Sequence, residues 1–176
     1  YPRTDLTDPR LAPVLTAINQ VLAGHMPFPA IVVDRYGDIV AHNDSFPWLT
    51  EGVSAELLAE PMNAYRIALH PKGMAPRVRN FGSWARHVTE RLSRDLDPRV
   101  AELAEELRQY VPEVDLTDDH LGFAVPIELT TSRGDLTLMT TVTTFATAVD
   151  VTVAELKLEA FLPANQRTAE ILASPW

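Results

Sequence analysis

The chain of 176 residues contains no cysteine. Disulfides, thiolate metal sites and a cysteine nucleophile are therefore excluded, and the absence suits a reducing cytoplasm, where we expect the protein to reside. Long apolar runs are also missing. The longest extends from Leu121 to Ile127 and is interrupted by Gly122 and Pro126, whereas a membrane-spanning helix needs about 18 or more apolar residues. We therefore expect no contact with a membrane.

Motifs that mark common enzyme classes are absent as well. The seven glycines are scattered, and even the closest pair, Gly73 and Gly82, is too widely spaced for the phosphate-binding loops of P-loop or dinucleotide-binding proteins. No serine lies between two glycines in the pattern of a nucleophile elbow. None of the five histidines has another histidine three or four residues away, which a two-histidine metal face on a helix requires. We therefore predict no catalytic residue and no cofactor.

One short acidic cluster has side chains that metals accept. Asp118-Asp119-His120 could chelate a cation if other parts of the chain supplied further ligands. So short a cluster is unselective, however, and an acidic loop is the simpler interpretation. We therefore predict no metal site.

The formal net charge is −9, and an acidic domain repels the phosphates of DNA. The charge is uneven, because the basic stretch, residues 66–99, carries eight Lys or Arg residues and only three acids. This stretch can hold an anionic ligand or face an acidic partner, or it can be the solvated face of a helix.

Because the chain begins at Tyr1 and has no signal-peptide pattern, we interpret it as a piece of a longer protein.

The spacing of apolar residues divides the chain into helical and extended segments. Helical spacing predicts helices at 9–23, 62–69, 81–96, 98–110 and 164–173. Alternation of apolar and polar residues predicts strands at 30–34, 39–43, 124–129, 136–142 and 154–162. Asp8-Pro9 and Asp97-Pro98 are typical helix starts, with a capping carboxylate before a proline, and Asn80 can cap a third helix.

Strands that occur in runs separated by helices are typical of an α+β fold. We predict a five-stranded antiparallel sheet with helices packed on one face, plus N-terminal and C-terminal helices. Such a sheet and its helices would form a cup for a small apolar ligand. Residues 1–24 would form a linker or dimerisation helix, and residues 25–176 would form the domain that contains the sheet.

Flexible or aromatic apolar side chains occur in and beside the basic stretch, at Met62, Leu69, Phe81 and Trp84. They lie close in sequence to Arg66, Arg77 and Arg79. A fatty acid or similar amphiphile needs an apolar tunnel with a cation at its mouth. The same residues also suit an ordinary core whose arginines extend into solvent, and on the residues alone this second interpretation is favoured.

Five segments carry motifs that are each weak alone, but their order and spacing together are specific to one family. They are the hairpin at 29–43, Asn63–Leu69, Phe81–Trp84, Asp97–Leu103 and Gly134–Leu138. Together they resemble the ligand-binding domain of MmyB-like transcription regulators over about residues 25–172. Within the second segment, Arg66 matches an arginine of that family.

The resemblance implies a PAS-like fold for residues 25–176. It also implies a homodimer and a small apolar or amphipathic effector, for example a fatty acid. An Xre-type helix-turn-helix domain, which is missing from this sequence, would precede the ligand-binding domain, and DNA would be bound only through that missing domain.

The leading hypothesis is therefore the sensory domain of a transcription regulator rather than an enzyme. The effector would enter between the sheet and the helices of residues 62–96, with its polar head at Arg66. The predicted ligand-binding residues are Met62, Arg66, Leu69, Phe81, Trp84, Val88, Leu138, Thr140, Val142 and Leu158.

Two alternatives remain open. The domain could dimerise the regulator, or meet an acidic partner through the basic stretch, without binding any ligand. It could also be a small α+β enzyme that uses His42 or His87 as a base, which would require a histidine or carboxylate that faces a cavity and has a perturbed pKa.

Overall fold

The computed structural model describes residues 5–113, 125–145 and 150–174. Within these ranges the helices are α1 (Ala12–Gly24), α2 (Phe46–Leu49), α3 (Ala55–Leu58), α4 (Ala64–Leu69), α5 (Phe81–Ser93), α6 (Pro98–Arg108), α7 (Val151–Ala154) and α8 (Gln166–Ala173). The strands are β1 (Ala30–Val33), β2 (Ile39–His42), β3 (Ile127–Thr131), β4 (Gly134–Thr144) and β5 (Lys157–Pro163). Short 3₁₀ turns at Pro9–Leu11 and Ala75–Arg77 precede α1 and α5.

The five strands form one antiparallel sheet in the order β2-β1-β5-β4-β3. The last strand in the sequence, β5, therefore lies in the middle of the sheet, between β1 and the long β4. Its pairing brings Glu159 opposite Ile31 of β1 and Val142 of β4, and brings Phe161 opposite Thr140. The predicted α+β fold with a five-stranded antiparallel sheet is confirmed.

The two faces of the sheet are covered by different helices. On one face, β1, β3 and β4 pack with α4, α5, α6 and α8 into the larger core, whose fully buried side chains include Leu69 and Leu138. On the other face, Ile18 and Leu22 of α1 pack with Leu158 in the smaller core. Because side chains alternate along a strand, β1 and β5 each contribute to both cores.

The helix predicted at 81–96 is shorter than its apolar stripe suggests. It ends at Ser93, so Leu96 lies 96% exposed instead of continuing the buried stripe. Asn80 precedes the helix, but the predicted side-chain cap is wrong. The Asn80 amide donates to the carbonyl oxygen of Pro126 at 2.7 Å, and its Oδ1 accepts from the backbone N–H of Glu128 at 3.1 Å. A tertiary contact with the start of β3 therefore takes the place of the local cap.

Aspartate side chains cap the starts of several other helical segments and so set their boundaries. Asp8 and Asp97 act as predicted, each accepting a hydrogen bond of 2.8 Å from the backbone N–H two residues later. Asp150 caps the short α7 in the same manner. As a result β5 begins at Lys157, and the prediction that the strand starts at residue 154 is wrong.

The side chain of Asn43 connects α1 to the sheet. Its Oδ1 accepts from the backbone N–H groups of Ala30 and Ser45, both at 3.2 Å. Its Nδ2 donates to the carbonyl oxygens of Leu22 at 3.1 Å and Phe28 at 2.8 Å. Helix α1 is thus joined to the sheet by hydrogen bonds as well as by apolar packing. A role of this helix in dimerisation stays a prediction, as does a domain boundary immediately after it.

Helix α4 is held in place by Asn63, which is buried. The Asn63 Oδ1 caps the helix by accepting from the backbone N–H groups of Tyr65 at 3.1 Å and Arg66 at 3.2 Å. Its Nδ2 donates to the carbonyl oxygen of Tyr36 at 2.9 Å and to Oδ1 of Asp38 at 3.1 Å. One side chain therefore fixes both the start of α4 and its position against the β1–β2 turn.

Replacing Asn63 with Ala is expected to lower the free energy of unfolding by about 2 kcal/mol, because the helix loses its cap and backbone groups near it lose their partner. The control is Ser54→Ala, which removes a single capping bond of 3.3 Å from the short, exposed α3. This control is expected to cost no more than about 0.5 kcal/mol. Urea denaturation measures both variants, and equal losses would show that Asn63 does not hold α4.

Candidate functional site

A cavity of about 270 Å³ lies on the side of the sheet that faces the larger core, between α4, α5 and the strands. Its volume is close to the lower limit of about 300 Å³ for small-molecule sites. The same volume corresponds to about nine water molecules in the liquid. The cavity can therefore enclose only about nine non-hydrogen atoms of a ligand.

Helix α5 supplies one long wall of the cavity. Trp84, Val88 and Leu92 follow one another at intervals of about one turn, and His87 and Arg91 adjoin them. The helical repeat of 3.6 residues places all five side chains on one side of the helix. Trp84 is only 7% exposed, whereas His87 and Arg91 are exposed. The cavity therefore opens toward solvent beside these two residues.

Helix α4 leaves room for the cavity because it presents small side chains there. Ala64 and Ala68 are one helical turn apart and both line the cavity. Tyr65 lines it beside them, and its ring lies directly over Gly37 of the β1–β2 turn. Gly37 has a φ of +84° and no space for a Cβ, which the Tyr65 ring would overlap. The turn therefore holds the Tyr65 ring in place.

The sheet supplies the floor of the cavity through Ile31, Thr140, Glu159 and Phe161. Residues directly opposite each other in an antiparallel pair share a face of the sheet. Thr140 pairs with Phe161, and Glu159 pairs with Ile31, so the strand registers bring these four side chains together. The central strand therefore contributes one aromatic ring and one carboxylate to the floor.

Three polar side chains from three different elements line the cavity and interact electrostatically with one another: Tyr65, Arg91 and Glu159, which together we call its polar end. Burial raises the pKa of Glu159, although the positive charges of Arg91 and Lys157 act in the opposite direction. Burial, together with the nearby charge of Glu159, raises the pKa of Tyr65 to about 12. The Tyr65 phenol therefore remains protonated at neutral pH and keeps a proton that it can donate.

The structure brings some of the predicted ligand-binding residues to this cavity. Three of the ten line it, namely Trp84, Val88 and Thr140. Four others pack within or against the larger core without lining the cavity, namely Met62, Leu69, Phe81 and Leu138. A role in ligand binding stays a prediction for all of them.

The remaining three predicted residues lie elsewhere. The Arg66 Nε donates to the Glu106 carboxylate at 2.8 Å, which joins α4 to α6 at the surface. Val142 is 43% exposed, and Leu158 lies in the smaller core beneath α1. Among the described residues, the arginine that lines the cavity is Arg91 rather than Arg66.

Ion pairs neutralise part of the basic stretch, and one further arginine lies over an aromatic ring. The pairs are Arg66–Glu106 at 2.8 Å, Arg79–Asp135 at 3.2 Å and Arg86–Glu90 at 3.1 Å, while the Arg99 guanidinium lies 3.8 Å above the centre of the Tyr36 ring. Such exposed pairs contribute at most about 1 kcal/mol each to stability. The three ion pairs nevertheless compensate part of the charge through which the basic stretch would attract an acidic partner.

Three polar or charged residues of the cavity were not predicted from the sequence, namely Tyr65, Arg91 and Glu159, and His87 was considered only as a base. A signal exists for Arg91, because it follows Trp84 at helical spacing on α5. The alternation of Leu158 and Ala160 with Glu159 predicts that Glu159 lies on a solvated strand face, yet it shares that face with Phe161. An aromatic side chain on the same face indicates that the face is covered.

Two functional features are absent from the part of the chain that the structure describes. No group of three or more His, Asp or Glu side chains there is arranged to hold a metal ion. None of the described helices has the length and apolar character needed to cross a membrane.

The Asp118-Asp119-His120 cluster lies outside the described residues. Of the two histidines considered as bases, His42 contacts the carbonyl oxygen of Asn43 at 2.9 Å, and His87 lines the cavity.

Comparison with known proteins adds one finding. The family model described as the MmyB-like transcription regulator ligand binding domain matches residues 14–174. The match begins within α1 and extends through α8, so it includes the cavity and both faces of the sheet. No curated protein matches the sequence.

Proposed function

Because the chain belongs to the family of MmyB-like transcription regulator ligand-binding domains, we propose that its cavity binds a small apolar or amphipathic effector. The family assigns the chain to the ligand-sensing part of a transcription regulator. The cavity itself carries the proposal, since it has apolar walls, a polar end and an opening beside α5. Burying apolar surface of a ligand there contributes roughly 25 cal/mol per Å² to binding.

The arrangement of the walls determines how an amphiphile would lie. Its apolar part would pack against Trp84, Val88 and Phe161, and its polar head would lie at the end formed by Arg91 and Glu159. A fatty acid is the example that the family resemblance implies. The cavity volume restricts the enclosed part of such a chain to about nine non-hydrogen atoms, so medium-chain compounds fit best.

The effector would act on DNA binding indirectly. In this proposal the domain forms a homodimer, and the effector shifts the population between two dimer geometries of the whole regulator. A helix-turn-helix domain outside this chain would then contact DNA. The net charge of −9 supports this division, because an acidic domain is repelled by the phosphate backbone.

Native mass spectrometry of the purified domain, followed by denaturation and analysis of what is released, tests the proposal. We expect one small amphiphile per chain, either retained from the cell or taken up when an eight-carbon amphiphile is added. The same spectrum reports whether the chain is a dimer. A clean mass for the protein alone, before and after such additions, would instead favour a dimerisation module that has no ligand.

A further inference from the structure

The polar end of the cavity constrains the chemistry of the ligand, if the cavity binds the effector as proposed above. That end combines one positive group, one negative group and one neutral hydroxyl, each held on a different element. Arg91 extends from α5, Glu159 from β5 and Tyr65 from α4. A ligand head that enters this end meets all three.

Glu159 is the most informative of these groups. Its neighbours on β5, Leu158 and Ala160, are buried on the opposite face, so the strand register directs the carboxylate toward the cavity side. In the part of the chain that the structure describes, the side chains of Glu159 and Arg91 make no hydrogen bond or contact ion pair with another residue. A partly buried carboxylate that accepts no hydrogen bond costs folding free energy, which the charges of Arg91 and Lys157 offset only in part. The fold itself therefore gives no reason for a charged residue at this position.

The burial of Glu159 also determines how it responds to a ligand. Burial raises its pKa, whereas the charges of Arg91 and Lys157 lower it. A second carboxylate placed beside it would add repulsion between like charges at short range. An ammonium head would be attracted to Glu159 but repelled by Arg91. Each fully charged head therefore meets one unfavourable charge.

An uncharged head that both donates and accepts hydrogen bonds avoids this conflict. Its N–H or O–H can donate to the Glu159 carboxylate, and its oxygen can accept from the Arg91 guanidinium. Hydrogen bonds to charged groups are stronger than those between neutral groups. The protonated Tyr65 hydroxyl can serve as a further donor or acceptor. A primary amide presents two donors and an acceptor, and so matches the site most completely.

We propose that the effector of this protein carries an uncharged polar end with both a donor and an acceptor, best represented by a primary amide, which binds between Glu159 and Arg91. The proposal assigns Glu159 as the residue that discriminates against carboxylate heads, so it replaces the fatty acid that the family resemblance implies with an uncharged amphiphile. Arg91 has the corresponding role against ammonium heads.

The test uses four probes that share one eight-carbon chain: octanamide, octanoate, octylamine and octan-1-ol. Their affinities are measured by isothermal titration calorimetry at pH 7.5. We expect octanamide to bind at least about tenfold more tightly than octanoate or octylamine, since each charged probe loses one favourable contact and gains one repulsion. Octan-1-ol is expected between the amide and the charged probes.

Two variants test whether Glu159 and Arg91 cause the preference for octanamide over the charged probes. Glu159→Gln keeps the shape and hydrogen-bonding capacity of the side chain but removes its charge, so octanoate should approach octanamide to within about threefold. Arg91→Gln should improve the binding of octylamine relative to octanamide. Glu102→Gln is the matched control, because it removes the same charge from an exposed position on α6 and should leave the order of affinities unchanged.

Three outcomes would count against the account, in distinguishable ways. Octanoate binding the wild-type protein as tightly as octanamide would overturn the inference about the head group and leave the cavity as a binding site. An octanamide preference that persists in Glu159→Gln would overturn the role of Glu159. Failure of all four probes to bind the wild-type protein would contradict the proposed function itself, and the inference with it.

Discussion

Replacing Ala68 with tryptophan is expected to weaken binding of octanamide by at least about 100-fold, a difference of about 2.7 kcal/mol. Ala68 lines the cavity from α4. Tryptophan adds about nine non-hydrogen atoms, which is close to the number of water volumes that the cavity contains. The indole would therefore occupy the space of the ligand. Because it enters an existing cavity, the cost of overpacking should be smaller than the usual range of about 1–3 kcal/mol.

A control variant separates blocking of the cavity from a general effect of an added aromatic ring. Ala101 is exposed on α6, so Ala101→Trp should bind octanamide as the wild type does. Circular dichroism shows whether both variants fold, and calorimetry measures their affinities. Wild-type affinity in a folded Ala68→Trp variant would mean that the ligand binds elsewhere on the protein.

Replacing Gly73 with Ala is expected to have the largest effect on stability, a loss of about 3 kcal/mol. Gly73 follows α4, and a Cβ at this position would overlap the carbonyl oxygen of Ile67. That oxygen accepts from the backbone N–H of Met74 at 2.8 Å. A Cβ would therefore force apart the backbone segments that carry Ile67 and Met74, which both line the cavity.

Gly24→Ala provides the matched control for this prediction. Gly24 is the last residue of α1, and a Cβ there would meet no atom within 4 Å. Alanine should leave stability unchanged or raise it by about 0.5 kcal/mol, because it is the better helix former. For Gly73→Ala, differential scanning calorimetry should show a decrease in Tm of about 6–12 °C for a chain of this size. A Gly73→Ala protein with the wild-type Tm would show that the backbone after α4 adjusts to the added Cβ without loss of stability.

Much of the fold can be predicted from the sequence because local signals agree with it. Asp8-Pro9 and Asp97-Pro98 mark helix starts through a cap that involves only neighbouring residues. The period of the apolar residues distinguishes the helices from the strands. The cap of α5 could not be predicted, because the Asn80 side chain bonds to the distant Pro126 and Glu128 instead.

The cavity was harder to predict, because its position depends on strand registers and on the spacing between helices. A register error of one residue moves every side chain of a strand to the other face. Leu158 and Glu159 illustrate this, since adjacent residues of β5 lie in the smaller core and on the cavity floor. Arg66 carried the expected type of charge, yet Glu106 on α6 holds it at the surface. No local pattern in the sequence reveals that partner.

The central claim is that the ligand binds between α5 and the sheet face that carries Glu159. Intermolecular nuclear Overhauser effects between octanamide and the methyl groups of the protein test it most directly. The account predicts contacts from the alkyl chain to the methyl groups of Ile31, Ile67 and Val88, which line the cavity. Contacts confined to Leu156 and Leu158 in the smaller core, or to exposed methyl groups, would contradict it.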